Sequence, residues 1–310
     1  MFQTKRATTP EAEEILGGYF PVLDHGFVSL VDYMGNDEAA ERAARVSYGA
    51  VPKSKQSTTE GLLRFMKGHG HSSPFEMIEL KFHCRMPIFV ARQWVRTRTA
   101  NLNEVSGRYS KIPMVFHMPD NAQVQDQSKE NKQGRMGEPI SADRYEQMTL
   151  RFKASRAETA SHYDQLIEDG IAKELARIDL PLSTYTEWYW KIDLHNLMHF
   201  LKLRVDSHAQ WEFQRYGQVI AGMVKRVCPI SFQAWIDYDH AGARFSRVEL
   251  ELLQLILKGS DEDVLGFSKL SKREIAEFYT KTGPVPMVRD FSLDLSTMKD
   301  ASFFDPEVKR

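Results

Sequence analysis

The chain has 310 residues and a formal net charge of −1, from 41 Lys and Arg against 42 Asp and Glu. That length can bury a sizeable core as one large domain or two ordinary ones, and the even balance gives no global basic field for nucleic acid or anionic membrane. Two cysteines, Cys84 and Cys228, stand far apart in no metal-ligand spacing, which argues against a disulfide scaffold and suits a reducing cytoplasm. No apolar signal follows Met1-Phe2-Gln3-Thr4-Lys5-Arg6, and no apolar stretch is long enough to span a bilayer. The expectation is a cytoplasmic protein with no membrane and no nucleic-acid partner.

Thr9-Pro10 before Glu11-Ala12-Glu13-Glu14 reads as a short capped helix. Gly26 to Met34 reads as a strand, and Asp37 to Tyr48 as an amphipathic helix. Ser57-x-x-Glu60 is a capping box that predicts a helix to about Lys67. From Met77 to Met86, apolar Ile78, Leu80, Phe82 and Cys84 alternate with Glu79, Lys81, His83 and Arg85. That period of two marks an antiparallel strand with one wet face. Pro87 then starts a helix that carries Gln93 and Arg96 toward its end. Residues 118–140 are polar, with few apolar side chains, and are expected to form a mobile insertion. Ser141 to Asp169 reads as a long helix stopped by Gly170, and Tyr185 to Ile192 as an aromatic strand. Asp193 caps a helix to Arg204, and another is expected from about Ser207 to Val227, ahead of Pro229. Ser246-x-x-Glu249 and Ser271-x-x-Glu274 are two further capping boxes. Strands mixed with helices, without regular βαβ alternation, indicate the α+β class: an antiparallel or mixed sheet with packed helices.

Residues 92–110 hold the densest chemistry. Arg92, Arg96, Arg98 and Arg108 crowd together with Glu104, Ser106 and Gly107, just after the apolar run Met86 to Ala91. Guanidinium forks bind phosphate bidentately and keep their charge when desolvated, while Ser106 and the backbone at Gly107 can bond the same oxygens. The plain alternative is an arginine-rich loop solvated or held in structural ion pairs. There is no Gly-x-Gly-x-x-Gly turn and no Walker-type loop, so motifs alone lean away from a flavin. His195 and His199 have an i, i+4 spacing that also suits metal ligands, but only His208 lies near as a third and no His-Glu-x-x-His occurs; no metal is expected. An RNA-binding role would want exposed aromatics among the basic residues, whereas Trp94 sits in an apolar helix. Cys84 falls on the apolar face of its strand and Cys228 ends a helix before Pro229, neither in the polar, electropositive setting of a nucleophile. Arg204 with Asp206 would pass, on its own, for a helix-end ion pair.

The order of residues in this segment resembles the signature of the flavin-dependent thymidylate synthases, Arg-His-Arg-x-x-Ser-x-Asn-Glu-x-Ser-x-Arg. Here it reads Arg96-Thr97-Arg98-Thr99-Ala100-Asn101-Leu102-Asn103-Glu104-Val105-Ser106-Gly107-Arg108. Thr97 stands where the family usually has histidine and Asn101 where it usually has serine. Further blocks agree in order: Ala43-Ala44-Arg45-Val46-Ser47, His69-Gly70-His71-Ser72-Ser73-Pro74-Phe75-Glu76, and Pro87 through Trp94. Downstream come Ala176-Arg177 with Leu180-Pro181-Leu182, and Leu203 through Glu212. The resemblance covers roughly residues 25–238, leaving 1–24 as an N-terminal extension and 239–310 as a C-terminal helical extension of unknown role.

The resemblance implies that family's fold and the reductive methylation of dUMP to dTMP. Methylenetetrahydrofolate would give the carbon and FAD, reduced by NADPH, the hydride, in a homotetramer with FAD at subunit junctions. The positions matching dUMP contacts are Gln93, Trp94, Val95, Arg96, Glu104, Val105, Ser106, Gly107, Arg108, Arg177 and Arg204. Arg204 matches the catalytic group beside the pyrimidine, where a guanidinium stabilises developing ring charge. The FAD positions are Ser73 from a neighbouring subunit, Arg96, Thr97, Arg98, Glu104, Asp193, Leu194, His195 and His199, with His71 a ring to hold flavin or folate. A different flavin or nucleotide enzyme on the same scaffold is the alternative that Thr97 and Asn101 leave open.

Overall fold

A computed structural model of the chain describes residues 6–47, 49, 57–129, 133–258, 270–285 and 287–304. After a short helix α1 (Pro10–Glu13), strands β1 (Tyr19–Val22) and β2 (Gly26–Met34) form a hairpin. Helices α2 (Asp37–Val46), α3 (Thr59–Gly68) and α4 (Ser73–Glu76) precede β3 (Glu79–Pro87). The expected end of α2 at Tyr48 lies outside the described residues. The cap of α3 is Thr58, whose hydroxyl accepts from the Gly61 amide, and not a box opened by Ser57. Next come α5 (Ile88–Trp94), β4 (Asn101–Glu104) and a two-stranded ribbon of β5 (Asp126–Gln127) and β6 (Arg135–Met136). The chain continues through α6 (Ala142–Glu168), α7 (Lys173–Ala176), β7 (Tyr185–Asp193), α8 (Leu194–Arg204), α9 (Trp211–Val227) and α10 (Pro229–Trp235).

The main sheet has five antiparallel strands in the order β1-β2-β3-β7-β4. Alternation along β3 and β7 sets its two faces. Leu80, Phe82, Cys84, Trp188, Trp190 and Ile192 are all buried, under α5, α8 and α9. Trp94 of α5 is fully enclosed there, edge-on to Trp188 and Trp190 and close to Phe200 and Phe213. Aromatic side chains bury the largest areas of any residues, so this cluster anchors helix to sheet. The opposite face carries His83 and Arg85 beside Glu187 and Tyr189, in the register His83↔Tyr189 and Arg85↔Glu187.

Two boundaries differ from the sequence reading. Helix α5 ends at Trp94, so Arg96 lies in the following turn, where Thr97 N donates to Trp94 O at 2.9 Å. Helix α9 starts at Trp211 and not near Ser207, because the Asp206 carboxylate takes up the His208 amide in a local turn. Within 118–140, the described part is anchored: Arg135 donates to Gln123 O and, at 2.6 Å, to the buried Glu212. The expectation of a mobile insertion rested on poverty in apolar residues, a signal that carries no information about such a polar tie.

Both C-terminal capping boxes are formed, at Ser246 for α11 (Arg247–Leu257) and at Ser271 for a last helix over Lys272–Thr282. The tail beyond them packs into the main core. Phe291 is buried against Phe232, Lys299 bridges to Tyr19 at the sheet edge, and a Cβ on Gly222 would fall 2.6 Å from Phe291 O.

Candidate active site

The signature segment closes the outer edge of the sheet. Asn103 and Glu104 of β4 pair with Tyr189 and Trp188 of β7, and Val105 N donates to Glu187 O at 2.9 Å. The chain then turns at Ser106, whose hydroxyl accepts from the Arg108 amide at 3.3 Å. Gly107 is buried in this turn: a Cβ there would lie 2.5 Å from Ile112 Cδ1 and 3.0 Å from Arg177 Cδ. Only glycine lets Arg177, at the end of α7, approach so closely. Arg108 is exposed and pairs with Glu174 of α7 at 2.8 Å. Glu104 accepts from the Thr186 hydroxyl at 2.5 Å and does not pair with Arg96 or Arg108.

A cleft of about 640 Å³ is lined by Glu104, Val105, Ser106, Gly107 and Arg177 together with His83, Arg85, Glu187 and Tyr189. His83 is held tightly. Its Nε2 lies 2.6 Å from Glu187, its Nδ1 3.2 Å from the Tyr19 hydroxyl, and its ring stacks on Tyr189 at 4.6 Å. The sequence placed His83 on a wet strand face but gave it no role. The missing signal was its register opposite β7, which alternation within one strand cannot supply.

Gln93, Arg96 and Arg204 do not line that cleft. Arg204, at the end of α8, is half-buried with its guanidinium 4.7 Å over the Phe213 ring. Its Nε has no partner among the described residues, and burial pulls its pKa down from the ordinary value. The plain alternative, a helix-end ion pair with Asp206, is not made; that carboxylate bonds His208. The side chains of Arg92, Arg96 and Arg98 make no hydrogen bond or ion pair among the described residues. Structural ion pairing therefore accounts for Arg108 and not for these three. Val95, like Val105, is exposed, whereas the Trp94 side chain belongs to the core.

Another group surrounds the start of α8. Asp193 caps that helix by accepting from Asn196 N at 2.9 Å, which leaves His195 and His199 on its first turns. Leu194 is fully buried, and its amide donates to Ile78 O, which joins the α8 start to the chain just after α4. Ser73 is exposed on α4, which packs against α8. His71 is exposed after Gly70, whose φ of +73° makes the turn possible. Lys67–Asp239 at 2.5 Å and Arg64–Asp237 at 2.6 Å fix the helix that leads into this loop.

Cys84 and Cys228 are fully buried, and burial pushes both thiols well above their ordinary values. Neither can serve as a thiolate near neutral pH. Among the described residues no group of three His, Cys, Asp or Glu side chains is placed to hold a metal ion, and no helix is long and apolar enough to cross a membrane.

Residues 29–230 match the profile of the family described as thymidylate synthase complementing protein. A flavin-dependent thymidylate synthase of Wolbachia pipientis wMel is 45% identical over 274 residues, 88% of this chain and 95% of that protein. One of Ruegeria pomeroyi is 44% identical over 284 residues, 90% of this chain and 93% of that protein. Among solved structures, the UMP/dUMP methylase PolB of Streptomyces cacaoi, bound with 5-Br UMP, has a TM-score of 0.63 at 29% identity. That match covers 72% of this chain and 100% of the other. The chain belongs to the flavin-dependent thymidylate synthase family.

Proposed function

We propose that this chain methylates dUMP to dTMP, taking the carbon from methylenetetrahydrofolate and the hydride from FAD reduced by NADPH. The observation that carries the reading is the cleft in which Glu104, Ser106, Gly107 and Arg177 meet. A guanidinium and a hydroxyl brought together at a tightly packed glycine turn make a fitting seat for a nucleotide phosphate and sugar. Arg108 stands beside them, held by Glu174.

The residues present suit a flavin dinucleotide. Arg96 and Arg98 carry no carboxylate partner among the described residues, the feature that attracts a pyrophosphate, whereas the start of α8 is already capped by the Asp193 carboxylate. With Arg96, Arg98 and Glu104, Thr97, Ser73, Asp193, Leu194, His195 and His199 would complete the hold, and His71 would lie against flavin or folate. Bound FAD supplies redox chemistry that no protein side chain offers.

The chain's own contribution is electrostatic. Arg204 presents a guanidinium whose Nε is unpartnered and whose flank is the Phe213 ring, so it interacts strongly with charge developing on a nearby pyrimidine. Two buried thiols leave this electrostatic route in place of attack by a cysteine. The absence of Gln93, Arg96 and Arg204 from the lining of the cleft with Arg177 supports a site completed between subunits, in keeping with the homotetramer that the family resemblance implies. Unpaired cysteines support the cytoplasm as its compartment.

The test is dTMP formation by the purified, FAD-loaded protein with dUMP, methylenetetrahydrofolate and NADPH, each left out in turn, and with UMP as a competing acceptor. Product that needs all three supports the reading. Product without folate, or from UMP alone, would favour a different nucleotide methylase on the same scaffold.

A further inference from the structure

We propose that Arg135, in the polar segment 118–140, is a positioning residue for the nucleotide site and acts on Gln93 through Glu212 and Gln210. The proposal rests on the assignment of Gln93 to dUMP made above.

Four side chains form one hydrogen-bonded line. Arg135 Nη2 donates to Glu212 Oε1 at 2.6 Å, and Gln210 Nε2 donates to Glu212 Oε2 at 3.0 Å. Gln93 Nε2 in turn donates to Gln210 Oε1. Glu212 is 4% exposed, in the first turn of α9, where a carboxylate is favoured by the helix dipole. A carboxylate only accepts, so it fixes the Gln210 amide with its nitrogen inward and its oxygen toward Gln93. That oxygen then selects the nitrogen of the Gln93 amide, which also reaches Phe89 O at 3.5 Å.

The consequence is a defined polarity at Gln93. Its Oε1 is the atom left without a partner among the described residues, so the side chain offers an acceptor to a ligand donor, a sugar hydroxyl or a ring N–H. Arg135 is what makes this arrangement stable. It neutralises the buried carboxylate, is itself tied to Gln123 O, and lies 6.0 Å over the Trp211 ring. Without it, Glu212 would be a buried charge lacking its cation, and the line would be free to rearrange. A segment expected from composition to be a mobile insertion thereby reaches Gln93 through three hydrogen bonds.

The experiment is steady-state kinetics of the FAD-loaded enzyme for Arg135→Ala, Arg135→Lys, Gln93→Ala and the double variant Arg135→Ala/Gln93→Ala. Arg135→Ala should raise the KM for dUMP about fivefold to tenfold with kcat little changed, the coupling expected within one hydrogen-bond network. Arg135→Lys should restore most of the affinity. In the Gln93→Ala background, Arg135→Ala should add nothing further. Because Arg135→Ala leaves Glu212 unpaired, a neutral pair, Arg135→Met with Glu212→Met, provides a folded control that removes the acceptor for Gln210 and should show the same rise. An unchanged KM in either variant, or an equal rise with and without Gln93, overturns the relay. No effect of Gln93→Ala itself would instead remove the assignment of Gln93 to dUMP, and the relay with it.

Discussion

Gly107 lies so close to Arg177 that a Cβ on it would come 3.0 Å from the arginine Cδ, and 2.5 Å from Ile112 Cδ1. Gly107→Ala should push Arg177 out of its place along the cleft. Overpacking of this kind costs about 1–3 kcal/mol. The expected outcome is a lower melting temperature and a raised KM for dUMP, with FAD absorbance retained. A variant with wild-type KM would show that Arg177 does not hold the nucleotide.

A second prediction concerns acid stability. Burial opposes the charge on Asp24, but His117 at 2.6 Å, the Tyr185 hydroxyl at 2.6 Å and the Met118 amide at 2.8 Å outweigh it. The carboxyl is held well below the usual carboxylate range. A lowered folded-state pKa contributes stability above the unfolded value, and that contribution is lost as pH falls toward the folded one. Asp24→Ala should destabilise the protein at neutral pH by about 1–3 kcal/mol, the cost of stranding buried hydrogen-bond partners. The gap in melting temperature between wild type and variant should narrow once pH drops below about 3.9, the ordinary carboxylate value. A gap that stays at its neutral-pH size as pH falls well below that value would contradict the linkage.

The third prediction follows from the chain's departure from its family signature. Thr97 is partly buried in the turn after α5 and offers a hydroxyl in place of an aromatic ring. Thr97→His should restore stacking and a further hydrogen-bond option, and so tighten FAD binding in a fluorescence titration. Unchanged or weaker binding would point to a neighbour that already compensates.

Much of the architecture was readable from local patterns. Strand β2 appears over Gly26–Met34 as expected, β3 follows its alternation, and the caps at Asp193, Ser246 and Ser271 are in place. Helix caps and strand period depend on near neighbours, which a sequence shows directly. What stayed hidden depends on distant partners. The short β1 and β4 carry too few residues to show a period, and only pairing with β2 and β7 defines them. The link from Arg135 to Glu212 joins residues 77 apart, and composition alone made the Arg135 segment look unanchored. The same holds for the cleft: the family resemblance grouped Glu104 through Gly107 with Arg177, but their meeting with His83 and Glu187 needed the fold.

The central claim is that methylation proceeds by electrostatic stabilisation and a bound flavin, with no enzyme thiolate. The most direct measurement is dTMP formation by Cys84→Ala/Cys228→Ala beside Arg204→Ala, with FAD occupancy confirmed for each. The double cysteine variant should keep measurable turnover, since both thiols are buried away from the cleft lining. Arg204→Ala should lose about 10²–10³ in kcat, as removal of one charge-stabilising group does in other enzymes. Turnover lost with the cysteines in a folded, flavin-loaded protein, and kept without Arg204, would contradict the account.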